Sequence, residues 1–122
     1  MSRYIVLRYI VIGGNVLNES IALTESTYYI LLALYTPQHG YGVMQQTERL
    51  SGGRVRLAAG TLYGALTSLC EKEWIVPLPS AEEGRRKEYK LTPQGLTVLR
   101  GELNRLRQLV ANGESIIEEE AK

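Results

Sequence analysis

Arg85, Arg86 and Lys87 follow Gly84 in one short polar run, and a series of hydroxyl side chains, Thr61, Tyr63, Thr67 and Ser68, lies upstream of them. Guanidinium and ammonium groups neutralise phosphates and release their counterions, whereas hydroxyls bond base edges or phosphate oxygens. The chemistry open to these residues is recognition of a polyanion, not bond breaking. Each group alone reads as ordinary surface, since three bases in a turn commonly face only solvent. Their order along the chain gives them meaning.

Groups suited to catalysis are sparse. The one histidine, His39, sits in the turn Pro37-Gln38-His39-Gly40, and no His, Cys, Asp or Glu set has metal-ligand spacing. Glu82-Glu83 and Glu118-Glu119-Glu120 are runs in a loop and a tail, and no glycine-rich phosphate loop follows a strand despite 12 glycines. Hydrolysis and phosphoryl transfer are thereby disfavoured. No catalytic residue, metal or cofactor is expected.

The elements that must position the recognition residues follow from periodicity. Leu62, Leu66 and Leu69 recur at i, i+4 and i+7, so a helix opening at Gly60 buries one leucine face and turns Tyr63, Gly64, Thr67 and Ser68 elsewhere. Small residues such as Gly64 let such a helix approach a groove closely. After Trp74, the run Ile75-Val76-Pro77-Leu78-Pro79, the loop Ser80 to Arg85 and the alternating Tyr89 and Leu91 predict a hairpin with the three cations at its tip. Pro77 and Pro79 cannot donate to a ladder and confine the first run to a short or edge strand. Upstream, Thr24 is the expected N-cap of a first helix from Glu25 to Thr36 that Pro37 stops, and a second helix opens near Tyr41 and ends at Ser51-Gly52-Gly53. Arg54 and Arg56, in the following linker, either reach flanking phosphate or face solvent.

A last helix is announced by Thr92 as N-cap and Pro93 at its first position, with Leu96, Leu99, Leu103, Leu106 and Val110 at intervals of three or four. That stripe needs a partner. A second copy of the chain is the simplest one, and an intramolecular core helix is the alternative. Asn112-Gly113 predicts a weakening of this helix, with Ile116 and Ile117 resuming a short one.

Helix, helix, polar-faced helix and charged hairpin is the order of a winged helix-turn-helix. On His39-Gly40-Tyr41-Gly42-Val43, Gly60-Thr61-Leu62-Tyr63 with Leu66 and Leu69, Trp74-Ile75, and Gly84-Arg85-Arg86-Lys87-Glu88-Tyr89-Lys90-Leu91-Thr92, the stretch from Ile21 to about Leu109 resembles the PadR family of bacterial transcription regulators, in its compact form with one C-terminal dimerisation helix. The resemblance implies a mainly α fold with a small β-hairpin: a winged helix-turn-helix DNA-binding domain plus a C-terminal dimerisation helix. It implies contacts to double-stranded DNA by Tyr41, Thr61, Tyr63, Gly64, Thr67, Ser68, Arg85, Arg86 and Lys87, with Tyr63 and the wing bases on phosphates and Thr61, Thr67 and Ser68 at base edges. A homodimer held by Leu96, Leu99, Leu103, Leu106 and Val110, an inverted-repeat operator, repression, and release by a small hydrophobic effector complete the expectation. Tyr28 or Tyr29 would line the effector site.

This chain departs from the family pattern in places. Glu73 stands where relatives end the recognition helix with glycine, Cys70 where they carry an acid, and Leu106 where drug-binding members stack ligands on a tryptophan. Aromatic-drug sensing is correspondingly not implied. A winged helix used only to bind proteins is the alternative function, and it would not need the basic wing.

Bulk properties agree without adding much. At 122 residues the chain suits one core, divided as an extension over 1–20, the winged helix over 21–91 and the dimerisation helix with its acidic tail over 92–122. Net charge is only +1; residues 45–95 hold eight Lys or Arg against six acids, and 96–122 four against five. DNA affinity therefore rests on a few placed cations, which favours two copies acting together. The apolar run near Ile5 to Ile12 is interrupted by Arg8 and falls short of the roughly 20 residues of a membrane span, so a cytoplasmic, membrane-free protein is expected. The lone Cys70 reads as a partly buried structural thiol. Tyr4 to Ile12 could form an extra strand turned by Gly13-Gly14-Asn15, with no function assigned.

Overall fold

The computed structural model describes residues 11–12, 15–16, 21–79 and 86–120, with side chains over 21–79 and 86–118. In chain order the elements are β1 (Val11–Ile12), β2 (Asn15–Val16), α1 (Glu25–Ala33), β3 (Gln38–His39), α2 (Gly40–Leu50), α3 (Ala59–Glu71), β4 (Ile75–Pro77), β5 (Glu88–Leu91) and α4 (Pro93–Glu120). The chain divides into two compact units at Leu99, within α4: Leu23–Leu99, and the residues on either side of it. The mainly α architecture with a small antiparallel sheet is that of a winged helix.

In the Leu23–Leu99 unit, Thr24 caps α1 by accepting from the Thr27 N–H at 3.1 Å, as its residue type predicts. The helix ends at Ala33, short of the expected Thr36. The residue before a proline disfavours helical backbone, and the Gln38 amide takes over the freed Ala33 carbonyl at 3.2 Å. His39 then caps α2, its Nδ1 accepting from the Gly42 N–H at 3.0 Å. It is a turn residue with a structural task.

The helix α3 buries Leu62, Leu66 and Leu69 as the spacing predicts. Its C-terminus closes with the Trp74 N–H on the Leu69 carbonyl at 3.1 Å and the Glu73 N–H on that of Cys70 at 2.9 Å. That paired closure requires a left-handed residue. Here it is Glu73, at φ 62°.

The sheet has three strands in the order β3-β5-β4, all antiparallel. The hairpin β4–β5 is the expected wing, with Pro77 on the edge strand; β3 adds a strand that two residues could not announce. Thr92 joins β5 to α4: its hydroxyl accepts from the Gly95 N–H at 3.0 Å and donates to the Glu73 carbonyl at 2.6 Å, while its N–H reaches the Trp74 carbonyl at 3.0 Å. A Cβ at Gly95 would lie 1.9 Å from that Trp74 oxygen. Ile30, Leu31, Leu34, Val43, the three α3 leucines, Trp74, Ile75, Val98 and Leu99 are the main buried apolar residues, each stabilising the fold by about 1.5–3 kcal/mol for a fully buried side chain of this size.

In the other unit, β1 and β2 pair with Val11 opposite Val16 and Ile12 opposite Asn15; Gly13 and Gly14 of the expected turn lie outside the described residues. The rest of the strand expected from Tyr4 lies outside the described residues. The helix α4 runs unbroken through Asn112-Gly113 to Glu120, correcting the expected weakening there and the separate short helix at Ile116 and Ile117. One glycine costs a helix only about 1 kcal/mol, which a continuous ladder absorbs. Glu102, beside the leucine stripe, is buried and holds Arg105 through two contacts of 2.6 and 2.8 Å. The periodicity gave no sign of this pair, which holds the Arg105 guanidinium above its usual range through the Glu102 hydrogen bond.

Candidate nucleic-acid interface

Opposite its buried leucines, α3 presents Thr61, Tyr63, Gly64, Thr67 and Ser68 to solvent. Ala58 provides no side-chain cap, so the first amides of α3 lack a side-chain acceptor. The Thr67 hydroxyl donates to the Tyr63 carbonyl at 3.0 Å, leaving its outward lone pairs as acceptors, the complement of an adenine or cytosine amino group. A Cβ at Gly64 would meet nothing within 4 Å. Gly64 therefore fills no packing role inside the protein.

Three elements converge beside this face. Tyr63 rests against the start of α2, where a Cβ on Gly40 would come within 2.7 Å of its phenol oxygen. Next to Gly40, Tyr41 carries the Arg86 guanidinium over its ring at 5.3 Å from the centroid. Tyr41 and Tyr63 are each about half exposed, at 49% and 48%. Lys87 is exposed on the adjoining residue; Arg85 lies outside the described residues. These contacts bring together Tyr63 of α3, Tyr41 of α2 and Arg86 at the described start of the wing.

Other cations are engaged elsewhere. Arg54 pairs with Glu25, and Arg56 lies 3.7 Å from Glu48, exposed pairs of the kind worth at most about 1 kcal/mol. Arg49 was not among the sequence-derived candidates. It shares a shallow polar pocket with Tyr41, Gln45 and the acidic Glu48, and the spacing Tyr41, Gln45, Arg49 along one face of α2 could have revealed it. Beneath the wing, burial pushes the Cys70 thiol up, against a smaller downward pull from Lys87. Burial also raises the Tyr89 phenol, with Cys70 and Tyr63 adding to the shift. A thiol so placed stays protonated near neutrality and is a poor nucleophile.

Along α4 the expected dimerisation residues separate. Leu99 is buried and Leu96 half-buried, whereas Leu103 and Val110 are exposed and Leu106 half-buried, flanking a shallow groove with Arg107, Ala111 and Glu114. Leu109, Ile116 and Ile117 are exposed as well. Tyr28 and Tyr29 stack at a tilt, 6.2 Å between centroids. A largely apolar groove in the Leu23–Leu99 unit is lined instead by Tyr35, Pro37, Val76, Lys90, Leu91, Thr92, Pro93 and Leu96. Among the described residues no helix is long and apolar enough to cross a membrane, and no group of side chains could hold a metal ion.

Residues 30–101 match the family described as "Transcriptional regulator PadR-like family". An uncharacterized 37.1 kDa protein in transposon TN4556 of Streptomyces fradiae is 40% identical over 73 residues, a match covering 60% of this chain and 20% of that protein. The chain therefore spans about a fifth of that relative's length. Among solved structures, a PadR family transcription regulator from Clostridium difficile R20291 superposes with a TM-score of 0.63 at 25% identity, covering 75% of this chain and 96% of that one. RosR from H. salinarum gives a TM-score of 0.62 at 22% identity over 84% of this chain and 97% of that one, a likeness of fold alone.

Proposed function

Because this chain belongs to the PadR-like family of transcriptional regulators, we propose that it is a homodimeric, sequence-specific DNA-binding repressor acting in the cytoplasm and released by a small hydrophobic effector. The observation that carries the DNA-binding reading is the hydroxyl-bearing, leucine-free side of α3, flanked by Tyr41 and the Arg86-Lys87 start of the wing. In this reading α3 enters the major groove, Thr61, Thr67 and Ser68 read base edges, and Tyr63, Arg86, Lys87 and Arg85 hold phosphates.

The exposed Leu103 and Val110 with half-buried Leu106 support a two-fold contact through α4. Leu99, already buried in its own chain, contributes to that contact only indirectly. Two α3 helices related by that axis meet half-sites of an inverted repeat about one helical turn apart. An effector acts by binding the two dimer geometries unequally.

The division of roles is testable by titrating labelled duplexes of varied sequence and salt. Arg86→Ala weakens binding to every sequence and flattens the salt dependence by about one unit of slope per lost phosphate contact. Thr67→Ala or Ser68→Ala changes which sequence is preferred and leaves the slope alone. The reverse pattern, with Arg86→Ala altering preference at constant slope, would overturn the assignment.

A further inference from the structure

We propose that Tyr41 is a positioning residue, an aromatic platform that holds Arg86 ready for a phosphate, and not itself a phosphate ligand. The inference rests on the DNA-binding reading above and deepens it.

Backbone register supplies the first support. In the β3–β5 ladder Gln38 faces Tyr89 and His39 faces Glu88; Tyr41, in the first turn of α2, and Arg86 each lie two residues beyond that last pair, on the two chain segments leaving it. The end of the strand pairing thus keeps the two segments close, and the guanidinium lies over the ring at 5.3 Å from its centroid. Geometry at the guanidinium supplies the second. Stacking covers the flat face of the ion and leaves its N–H edges free, and those edges bind phosphate oxygens. A long arginine side chain otherwise loses considerable rotamer freedom on binding, a cost that the ring has already met in the free protein.

The third support is Gly40. Its close approach to the Tyr63 phenol seats the first turn of α2 on α3, so adjacent residues touch the recognition helix on one side and the wing on the other. Residues 40 and 41 thereby fix the spacing between a base-reading helix and a phosphate-holding arginine.

The test is a double-mutant cycle read by fluorescence anisotropy on operator-length duplex across a salt series, using Tyr41→Phe, Tyr41→Leu, Arg86→Ala and the Tyr41→Leu/Arg86→Ala pair, with melting curves to verify that each variant folds. Tyr41→Phe keeps the ring and should bind as the natural protein does. Tyr41→Leu should lose about 5- to 30-fold in affinity, the range for deleting an exposed cation–π pair in each of two subunits, and should be no weaker when Arg86→Ala is added to it than Arg86→Ala alone. Equal losses in Tyr41→Phe and Tyr41→Leu, or losses that add in the double variant, would overturn the proposal and make the phenol a direct contact. Ring-current shifts of the Arg86 side-chain protons in the free protein separate the two readings. Upfield shifts present in the natural protein and Tyr41→Phe but absent from Tyr41→Leu support the stack even if no duplex binds, in which case the DNA-binding reading alone has failed. Their absence from the natural protein overturns the stack.

Discussion

Glu73 at φ 62° holds a conformation that costs a residue with a Cβ roughly 1–2 kcal/mol. The sequence flags it, because glycine is the usual occupant of a left-handed helix end. Replacing Glu73 by Gly should raise stability by about 1 kcal/mol, the relief of strain exceeding glycine's entropy cost, measured as an increased urea midpoint at constant slope. Thr47 is the contrary case, invisible in the sequence, since its hydroxyl is buried without a hydrogen-bond partner. Thr47→Val keeps the shape, removes the orphan, and should leave the melting temperature equal or higher by up to several degrees. Cys70 and Tyr89 both hold their protons more tightly than free side chains, chiefly through burial. Raised values stabilise the fold below the unfolded pKa, and that contribution disappears as pH climbs through the folded one. Melting temperature should accordingly fall between about pH 8 and 11, less steeply in Tyr89→Phe, while alkylation of Cys70 stays slow near pH 7.

Among the elements, α3 and α4 were the most legible because their apolar residues keep strict helical spacing and Thr92-Pro93 marks a helix start with two independent signals. The weakening expected at Asn112-Gly113 failed for the opposite reason: local propensity of one or two residues is too small to interrupt an established ladder. Strand β3 was illegible since two residues carry no alternation, and its partner residues lie far along the chain. Tyr41 and Arg86 meet just past the last β3–β5 pair, so the candidate residues could be named from the sequence but their contact could not. Gly95 belongs to this scale too. It lets α4 begin against the Trp74 carbonyl, and Gly95→Ala must push backbone apart, with a loss of about 3 kcal/mol or more in urea denaturation. If Gly95→Ala proved neutral, the packing of α4 on the Trp74 backbone would be wrong.

Across the whole molecule, net charge of +1 gives no broad attraction for DNA. Affinity must come from cations placed on one side, and each proposed half-site supplies only a few. A single copy would bind weakly at physiological salt, and two copies on one duplex sum their contacts. The exposed apolar residues of α4 offer the surface for that pairing. Leu106→Lys together with Val110→Asp should dissociate the proposed dimer in sedimentation experiments and abolish duplex binding without unfolding the chain. Fold class and family were readable from four short motifs, whereas operator and effector are properties of partners and leave no pattern in one chain. The most direct measurement is anisotropy of labelled DNA from just upstream of the gene, titrated at about 0.15 M salt against unlabelled scrambled duplex. Binding that survives the competitor and saturates at two chains per duplex is the expected result. Binding displaced equally by scrambled DNA, or absent altogether on that duplex and on selected random sequences, would contradict a sequence-specific dimeric regulator and leave a winged helix that binds protein.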